Sequence, residues 1–236
     1  MKSILYPFII LLLASVTAQA QTSVFKMYRF ECSKYYNIKL VKPKGFKVIG
    51  KTFFFVVNKK TNEGLPYRMA LESKDKDCLI LFPNFWGNTA DFTFSIKRLC
   101  YREVEATLNL NPENRATKIN PTKYIEIISK DDMKDYCNAD TVWMYKAPLP
   151  EPYKGIYTHC IGVSLFKMGH PSAVMKILLT EAGQKKAEEY LRILFKCIHY
   201  SNSDSAPTIN QETRDKVRKQ MKLKFFLYNK KHYFYM

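Results

Sequence analysis

The sequence lacks the short motifs that identify many metalloenzymes and phosphate-binding enzymes. It contains no Cys-x-x-Cys or His-x-x-x-His pair, no HExxH, no glycine-rich phosphate loop, no paired-carboxylate signature and no ordered Ser-His-Asp set. Chemistry that depends on such local spacing is therefore not predicted, and neither a cofactor nor a metal is expected. An enzyme whose site is assembled from residues distant in sequence stays open as an alternative.

Acidic residues are few: 21 Asp and Glu stand against 38 Lys and Arg, which gives a formal net charge of +17. The excess is concentrated after position 213, where Asp215 is the only acid. Such asymmetry indicates an anionic partner, and outside the cytoplasm an anionic lipid or glycan is favoured over nucleic acid. A solvated basic surface without a partner is the alternative. The candidate contact residues are Arg218, Lys219, Lys222, Lys224, Lys230 and Lys231.

Apolar runs are short, and none reaches the roughly 20 residues that a membrane-spanning helix needs. The first residues, "MKSILYPFIILLLASVTAQA", combine one Lys, an apolar run and small residues at Ala18 and Ala20. This is the pattern of a secretory signal peptide. We expect cleavage near Ala20 and a mature chain in the periplasm or outside the cell. No cysteine follows that position directly, so lipid attachment there is not expected.

Linkers and repeats are also missing from residues 22–200, which favours one domain. The hydrophobic content of 47% is enough for a sizeable core. The linker-like stretch "SNSDSAPT" comes after that region. The predicted organisation is a signal peptide over 1–20, a domain over 21–205 and a basic aromatic tail over 206–236.

Strand patterns dominate the first half of the mature chain. The segments are rich in β-branched and aromatic residues or alternate in polarity. They are "YYNIKLV" (35–41), "TFFFVV" (52–57), "YRMALES" (67–73) and "DCLILFP" (77–83). "KPKGF" is predicted as the loop between the first two. Trp86, in the irregular aromatic stretch that follows, fits a core plug or the rim of a pocket, and the core is favoured.

Helical periodicity appears next. Ile96, Cys100, Val104 and Leu108 recur every four residues, which predicts an amphipathic helix over 93–108, although a strand stays open for its first part. "SKDDMKDYC" predicts a short helix with Ser129 as its N-cap.

Three consecutive antiparallel strands are predicted over 141–146, 156–166 and 172–179. The first is expected to end at Pro148, because proline is excluded from central strands. The apolar stripe of "TEAGQKKAEEYLRILFKCIHY" then predicts a helix over 181–199. The predicted fold class is α+β, a single domain in which helices cover an antiparallel sheet and the C-terminal helix packs on a three-stranded meander.

Two families share features with this sequence. Tyr36, Ile38, Pro43, Gly45 and Phe46, with the closing helix "YLRILFKCIHY", resemble the PsbP-like extrinsic photosystem proteins. That resemblance implies a sheet followed by a closing helix. The stretches "AQAQ", "NADTV" and "Y-x-G-x-Y" also resemble uncharacterised exported proteins of Bacteroidota over most of residues 22–200. This second resemblance implies export and supplies no site residues.

The stretch "YTHCIGVSLFKMGH" (157–170) brings His159 next to Cys160. A cysteine nucleophile needs a base within hydrogen-bond reach, and adjacent strand residues point to opposite faces. His159 is therefore predicted to point away from Cys160. His170 follows in the turn, roughly 30 Å away along an extended strand, and His199 is predicted at the end of the last helix. We predict no catalytic residue among them.

All six cysteines follow the expected cleavage site, an even number for an oxidising compartment. One or more disulfides therefore stay open, although buried free thiols are the default expectation. In a hairpin that turns at 151–152, Cys160 is expected opposite Trp143. Cys137 would then be too distant from Cys160 for a bridge, which requires Cα atoms within about 7 Å, unless the chain reverses at the short helix. Cys100 and Cys197, each expected on the buried stripe of a helix, either meet or are plain core residues.

The predicted function is a non-catalytic binding or structural role of an exported protein in the cell envelope. One alternative is a hydrolytic enzyme with a non-local site. Another is a membrane-surface accessory protein that uses its basic tail. Val217, Met221, Phe225 and Tyr228 have helical spacing with basic residues between them, as in membrane-surface helices. "KFFLYNKKHYFYM" suits two aromatic strands equally well.

Overall fold

The computed structural model describes residues 24–49, 53–58, 63–83, 85, 100–101, 103–105, 107, 120–133 and 136–202. All of these lie in the first of two units into which the chain divides, Met1–Ala206. The predicted signal peptide, Trp86 and the basic tail lie outside the described residues. Among the described helices, none has the length and apolar character needed to cross a membrane.

The elements alternate between strands and mostly short helices. In chain order they are α1 (24–36), β1 (Ile38–Leu40), β2 (Phe46–Ile49), β3 (Phe53–Asn58), β4 (Glu63–Ser73), β5 (Cys78–Pro83), a helical segment α2 within 100–107, a 3-10 turn (Pro121–Tyr124), β6 (Ile125–Ile128), α3 (Lys130–Met133), β7 (Thr141–Tyr153), β8 (Tyr157–Phe166), β9 (Ala173–Leu179), α4 (Glu181–Gln184), α5 (Ala187–Cys197) and β10 (Ile198–Tyr200).

An eight-stranded antiparallel sheet organises the domain. Its order is β2-β4-β5-β9-β8-β7-β6, and β3 also pairs with β4. Strands β1 and β10 form a separate antiparallel pair. The predicted meander is confirmed, because β7, β8 and β9 follow one another in the sheet. The protein is thus α+β, as predicted, with an antiparallel sheet and packed helices.

The sheet has two faces, distinguished by alternation along β9. Met175, Ile177 and Leu179 belong to the larger core, which also contains buried side chains of α1 and α5. Lys176 and Leu178 point to the opposite side, which we call the second face. Both Lys176 and Leu178 are buried as well, so this sheet has a core on each side.

The N-terminal part differs from the prediction. Tyr35 and Tyr36, expected in a strand, are the last residues of α1, and Phe46 of the expected loop begins β2. The helix forms because its apolar residues fall at helical spacing and reach the larger core. Asn37 then adopts a φ of 52°, a left-handed conformation that ends the helix. The predicted strands over 52–57, 67–73 and 77–83 are confirmed as β3, β4 and β5. Their ends agree to within two residues, except that β4 begins earlier than predicted, at Glu63.

The described part of the predicted helix over 93–108 is helical, with Cys100 and Val104 buried as expected. The predicted helix over 181–199 is interrupted. Thr180 caps α4 by accepting a hydrogen bond from the Gly183 amide at 3.0 Å, and α5 starts only at Ala187. A Cβ at Gly183 would collide with the carbonyl oxygen of Asp77, so the β4–β5 turn packs directly on α4.

Strand β7 was predicted to end at Pro148, and this is wrong: it continues to Tyr153. The described β6 pairings reach only Tyr145, so beyond that point the missing N–H of proline costs no hydrogen bond to β6. The register shifts between Pro148 and Tyr153. The turn itself lies at 154–156, where Tyr153 pairs with Tyr157, and not at the expected 151–152. Cys160 therefore lies opposite Ala147, and the expected pairing of Cys160 with Trp143 is also wrong.

Candidate functional site

The three described histidines, His159, His170 and His199, occupy different places in the fold. His159 is on β8 and faces away from Cys160, with Nδ1 2.9 Å from Thr158 Oγ1 and 3.8 Å from Glu181 Oε1. His170 is buried in the β8–β9 turn, where Nδ1 lies 3.0 Å from the carbonyl oxygen of Met168. His199 was predicted to end a helix but belongs to β10, opposite Lys39.

Polar side chains do converge elsewhere, on the second face. Lys176 of β9 is fully buried there, and its Nζ lies 2.7 Å from Glu103 Oε2. The same Nζ donates to Tyr145 OH at 2.5 Å and to Thr107 Oγ1 at 3.2 Å. We call Lys176, Glu103, Tyr145 and Thr107 the Lys176 cluster. It joins two strands of the meander to α2.

The sheet register explains how Tyr145 reaches the lysine. Tyr145 of β7 pairs with Gly162 of β8, and Gly162 pairs with Lys176 of β9. A Cβ at Gly162 would overlap the Tyr145 ring. Glycine between the two larger residues therefore lets the tyrosine cross over β8 and place its hydroxyl on the ammonium group.

Helix α2 supplies the other half of the cluster, because Glu103 and Thr107 are four residues apart and lie on one helix face. Thr107 Oγ1 donates to the main-chain carbonyl of Glu103 at 2.8 Å and lies 2.9 Å from Tyr145 OH. The Glu103 side chain is only 7% exposed. Burial of either charge alone would be costly, and the ion pair links α2 to the sheet.

The electrostatics fix the protonation state of the lysine. Burial is the largest single influence and opposes the charge, but Glu103, Tyr145, Tyr67 and Cys160 together outweigh it, so the pKa of Lys176 lies well above its ordinary value. Lys176 is therefore an ammonium ion at neutral pH.

A hydroxyl close to an amine is the arrangement of an activated nucleophile, as for Thr107 and Lys176 here. The amine must then be unprotonated to accept a proton, and Lys176 is not. Burial also raises the pKa of Tyr145, and it raises the pKa of Cys160 to about 11. At neutral pH the Lys176 ammonium ion therefore cannot accept the proton of Thr107, and the Cys160 thiol and the Tyr145 hydroxyl stay protonated.

All six cysteines are buried and free, so the expected default of core thiols is confirmed. Burial raises the pKa of Cys100 to about 11 and that of Cys197 to about 12. Cys100 and Cys197 belong to separate cores. Among the described residues, no group of three or more His, Cys, Asp or Glu is arranged to hold a metal ion.

A second charged cluster lies at the surface, in the β4–β5 turn. Asp75 accepts from Ser73 Oγ at 2.5 Å, and Lys186 Nζ lies 3.1 Å from Asp75 Oδ2 and 3.0 Å from Asp77 Oδ2. The hydrogen bond from Ser73, with those from the Asp77 amide and Lys186, lowers the pKa of Asp75 to about 2. These contacts attach the turn to the start of α5.

The predicted anionic-surface residues lie outside the described residues and stay a prediction. They are Arg218, Lys219, Lys222, Lys224, Lys230 and Lys231.

No family model matches the chain, and no curated protein matches it. Among solved structures, the chain is similar to the solution structure of cyanobacterial PsbP (CyanoP) from Synechocystis sp. PCC 6803. The sequence identity is 11% and the TM-score is 0.39, with 70% of this chain and 87% of that chain covered. The neighbour belongs to the family that the sequence resembles, and a likeness this distant carries no conclusion about activity.

Proposed function

We propose that this chain is an exported protein of the cell envelope with a non-catalytic binding or structural role. One observation carries the proposal. Lys176, the amine beside the Thr107 hydroxyl, is fully buried and is an ammonium ion 2.7 Å from Glu103. An ammonium ion paired in this way cannot accept a proton, and in this proposal the ion pair favours one arrangement of α2 on the sheet.

The state of the thiols is compatible with export. Six unpaired cysteines in an oxidising compartment are at risk of oxidation, which proceeds through the thiolate and requires access. Here all six are buried, and burial raises the pKa of Cys32, Cys78 and each of the others. The domain therefore tolerates an oxidising environment without disulfides. The signal-peptide pattern before Gln21 is the feature that favours export from the cytoplasm.

The charge supports an anionic partner. A net charge of +17 attracts anionic lipid or glycan over distances set by the ionic strength. In this proposal the tail, with Lys222, Lys224, Lys230 and Lys231, contributes to that attraction.

Fractionation and a pull-down from envelope extracts test the proposal. The expected result is a mature N-terminus at Gln21 and recovery of the protein in the envelope fraction. Lys222→Glu with Lys224→Glu should reduce that recovery, whereas the matched change Arg192→Glu with Lys196→Glu, on the exposed side of α5, should not. A cytoplasmic chain with an intact first segment contradicts the localisation.

The hydrolytic alternative has a separate measurement. The observation in its favour is the 3.2 Å contact between Thr107 Oγ1 and Lys176 Nζ. A panel of ester, amide and phosphoester substrates would be screened with the purified protein and with Thr107→Val. Hydrolysis by the wild type that disappears in this variant, while the fold is retained, overturns the non-catalytic role.

A further inference from the structure

The outward side of α1 combines exposed apolar and cationic residues, while its inward side packs on the core. Its inward side contributes Phe25, Tyr28 and Cys32 to the larger core, and Tyr28 OH donates to the carbonyl oxygen of Pro83 at 2.7 Å. At about 100° per residue the exposed residues fall in one arc of about 160°. We call them the α1 face: Lys26, Met27, Arg29, Phe30, Ser33 and Lys34.

Two large apolar side chains project from the α1 face. Phe30 is 58% exposed and Met27 is 42% exposed. Lys34 Nζ lies 5.3 Å from the centroid of the Phe30 ring. Phe30 is close to the middle of the arc, with cationic side chains on both sides of it.

The charge of the α1 face is uniformly positive. Lys26, Arg29 and Lys34 are exposed, and the one acid of the helix, Glu31, is half-buried beside the face. Glu31 Oε1 lies 3.3 Å from Arg68 Nη2 on β4, so its charge is directed to the sheet and balanced there. The α1 face therefore presents three cationic side chains beside the exposed apolar residues Phe30 and Met27.

We propose that the α1 face binds the surface of an anionic lipid bilayer, with Phe30 and Met27 entering the interface and the three cations contacting headgroups. This inference rests on the proposed envelope function and assigns part of it to described residues. Charge complementarity favours any polyanion. The exposed apolar residues favour lipid over glycan, because a glycan offers no apolar phase in which Phe30 and Met27 are buried. The helix stays fixed to the core while it binds, since the two functions use opposite sides.

Vesicle sedimentation with the full chain tests the inference. The vesicles contain phosphatidylcholine with or without phosphatidylglycerol. Neutralising two cations, in Lys26→Gln with Arg29→Gln, should weaken partitioning into anionic vesicles about 30-fold, since each basic residue near an anionic surface contributes about fivefold. Phe30→Ala should weaken it about fivefold through the lost apolar burial.

Matched controls separate local from general effects. Arg192→Gln with Lys196→Gln removes the same charge from the exposed side of α5, and Ile127→Ala removes an apolar side chain that is 58% exposed, as Phe30 is. Both controls should change partitioning less than about threefold, as expected for residues away from the contact.

Three outcomes overturn the inference. The first is a wild type that does not bind anionic vesicles. The second is equal binding by the wild type and the α1 variants. The third is a loss with the charge variant but none with Phe30→Ala, together with full competition by soluble polyphosphate, which would assign the face to a soluble polyanion. In any of these cases, continued recovery of the chain in the envelope fraction would leave the proposed function in place.

Discussion

Lys176→Met is expected to be among the most destabilising single substitutions on the second face. The ammonium group is fully buried and lies 2.7 Å from a carboxylate that is 7% exposed. Removing it leaves Glu103 charged and buried without its partner, which costs about 3–5 kcal/mol of unfolding free energy. Urea unfolding followed by circular dichroism at pH 7 measures this as a lower midpoint at an unchanged slope.

The double variant Lys176→Met with Glu103→Leu makes the reasoning specific. Both charges are then gone and the site is filled with apolar groups, so most of the lost stability should return. The pH dependences of the two single variants should also be opposite. In Lys176→Met the buried carboxylate gains from taking up a proton, so stability falls as pH rises. In Glu103→Gln the buried amine gains from losing one, so stability increases as pH rises.

An exposed ion pair provides the matched control. Lys146 Nζ lies 3.3 Å from Glu188 Oε1, with side chains 55% and 73% exposed. Lys146→Met is expected to cost at most about 1 kcal/mol, because solvent screens that pair. If Lys176→Met costs no more than Lys146→Met, or if the double variant is as unstable as the single ones together, the buried pair does not hold α2 on the sheet.

Three further outcomes are expected. The six free thiols should react with Ellman's reagent only on unfolding, and because burial raises their pKa values, stability should be lost as pH rises from about 9 towards about 11. Gly162→Ala should cost about 1–3 kcal/mol in urea unfolding by forcing a methyl group into the Tyr145 ring. The pKa of Asp75 is lowered to about 2, so the stability that wild type has over Asp75→Asn should be present above pH 4 and disappear as pH falls towards 2 in acid titrations.

The parts of the fold that could be predicted are those in which one segment contains its own pattern. Strand β5 is a continuous apolar run, and β9 alternates between two faces. Both are predicted correctly from periodicity. The boundary between α1 and strand β1 is not predicted correctly. The polarity of "YYNIKLV" alternates as it does in a strand, so periodicity gives no sign that Tyr35 and Tyr36 end a helix. Tyr35 and Tyr36 are helical because the residues just upstream, Phe25, Tyr28 and Cys32, form a helical stripe that is buried in the larger core.

The end of β7 was predicted wrongly because the effect of Pro148 depends on the neighbouring strand. A proline excludes a central strand only if a neighbour needs its N–H. Strand β6 is only four residues long and its described pairings end at Tyr145. The sequence of β7 contains no sign of how far its neighbour extends, so the length of β7 and the register of Cys160 could not be derived locally.

The Lys176 cluster could be predicted only in part. Lys176 is the one charged residue in "AVMKILL", and a lysine there fits a solvent-facing position in a one-sided sheet. It is buried because α2 and the second-face residues cover it. Glu103 and Tyr145 come from segments distant in sequence. One local signal was available. The strands beside β9, which are β5 and β8, have apolar residues on both of their faces, which indicates a sheet buried on both sides. A charged side chain in such a sheet requires a partner.

The pairing of Lys176 with Glu103 also helps to explain the raised pKa of Cys160. A nearby ammonium ion ordinarily lowers a thiol pKa and generates a reactive thiolate. At Cys160 burial raises the pKa most; Lys176 lowers it, and Glu103 raises it again. Because the carboxylate balances the ammonium ion, the cluster presents little net charge to the thiol, and desolvation decides the outcome. The parity of β8 correctly separates Cys160 from His159, but the raised pKa of this thiol depends on its burial and on a charge pair formed by two other segments of the chain.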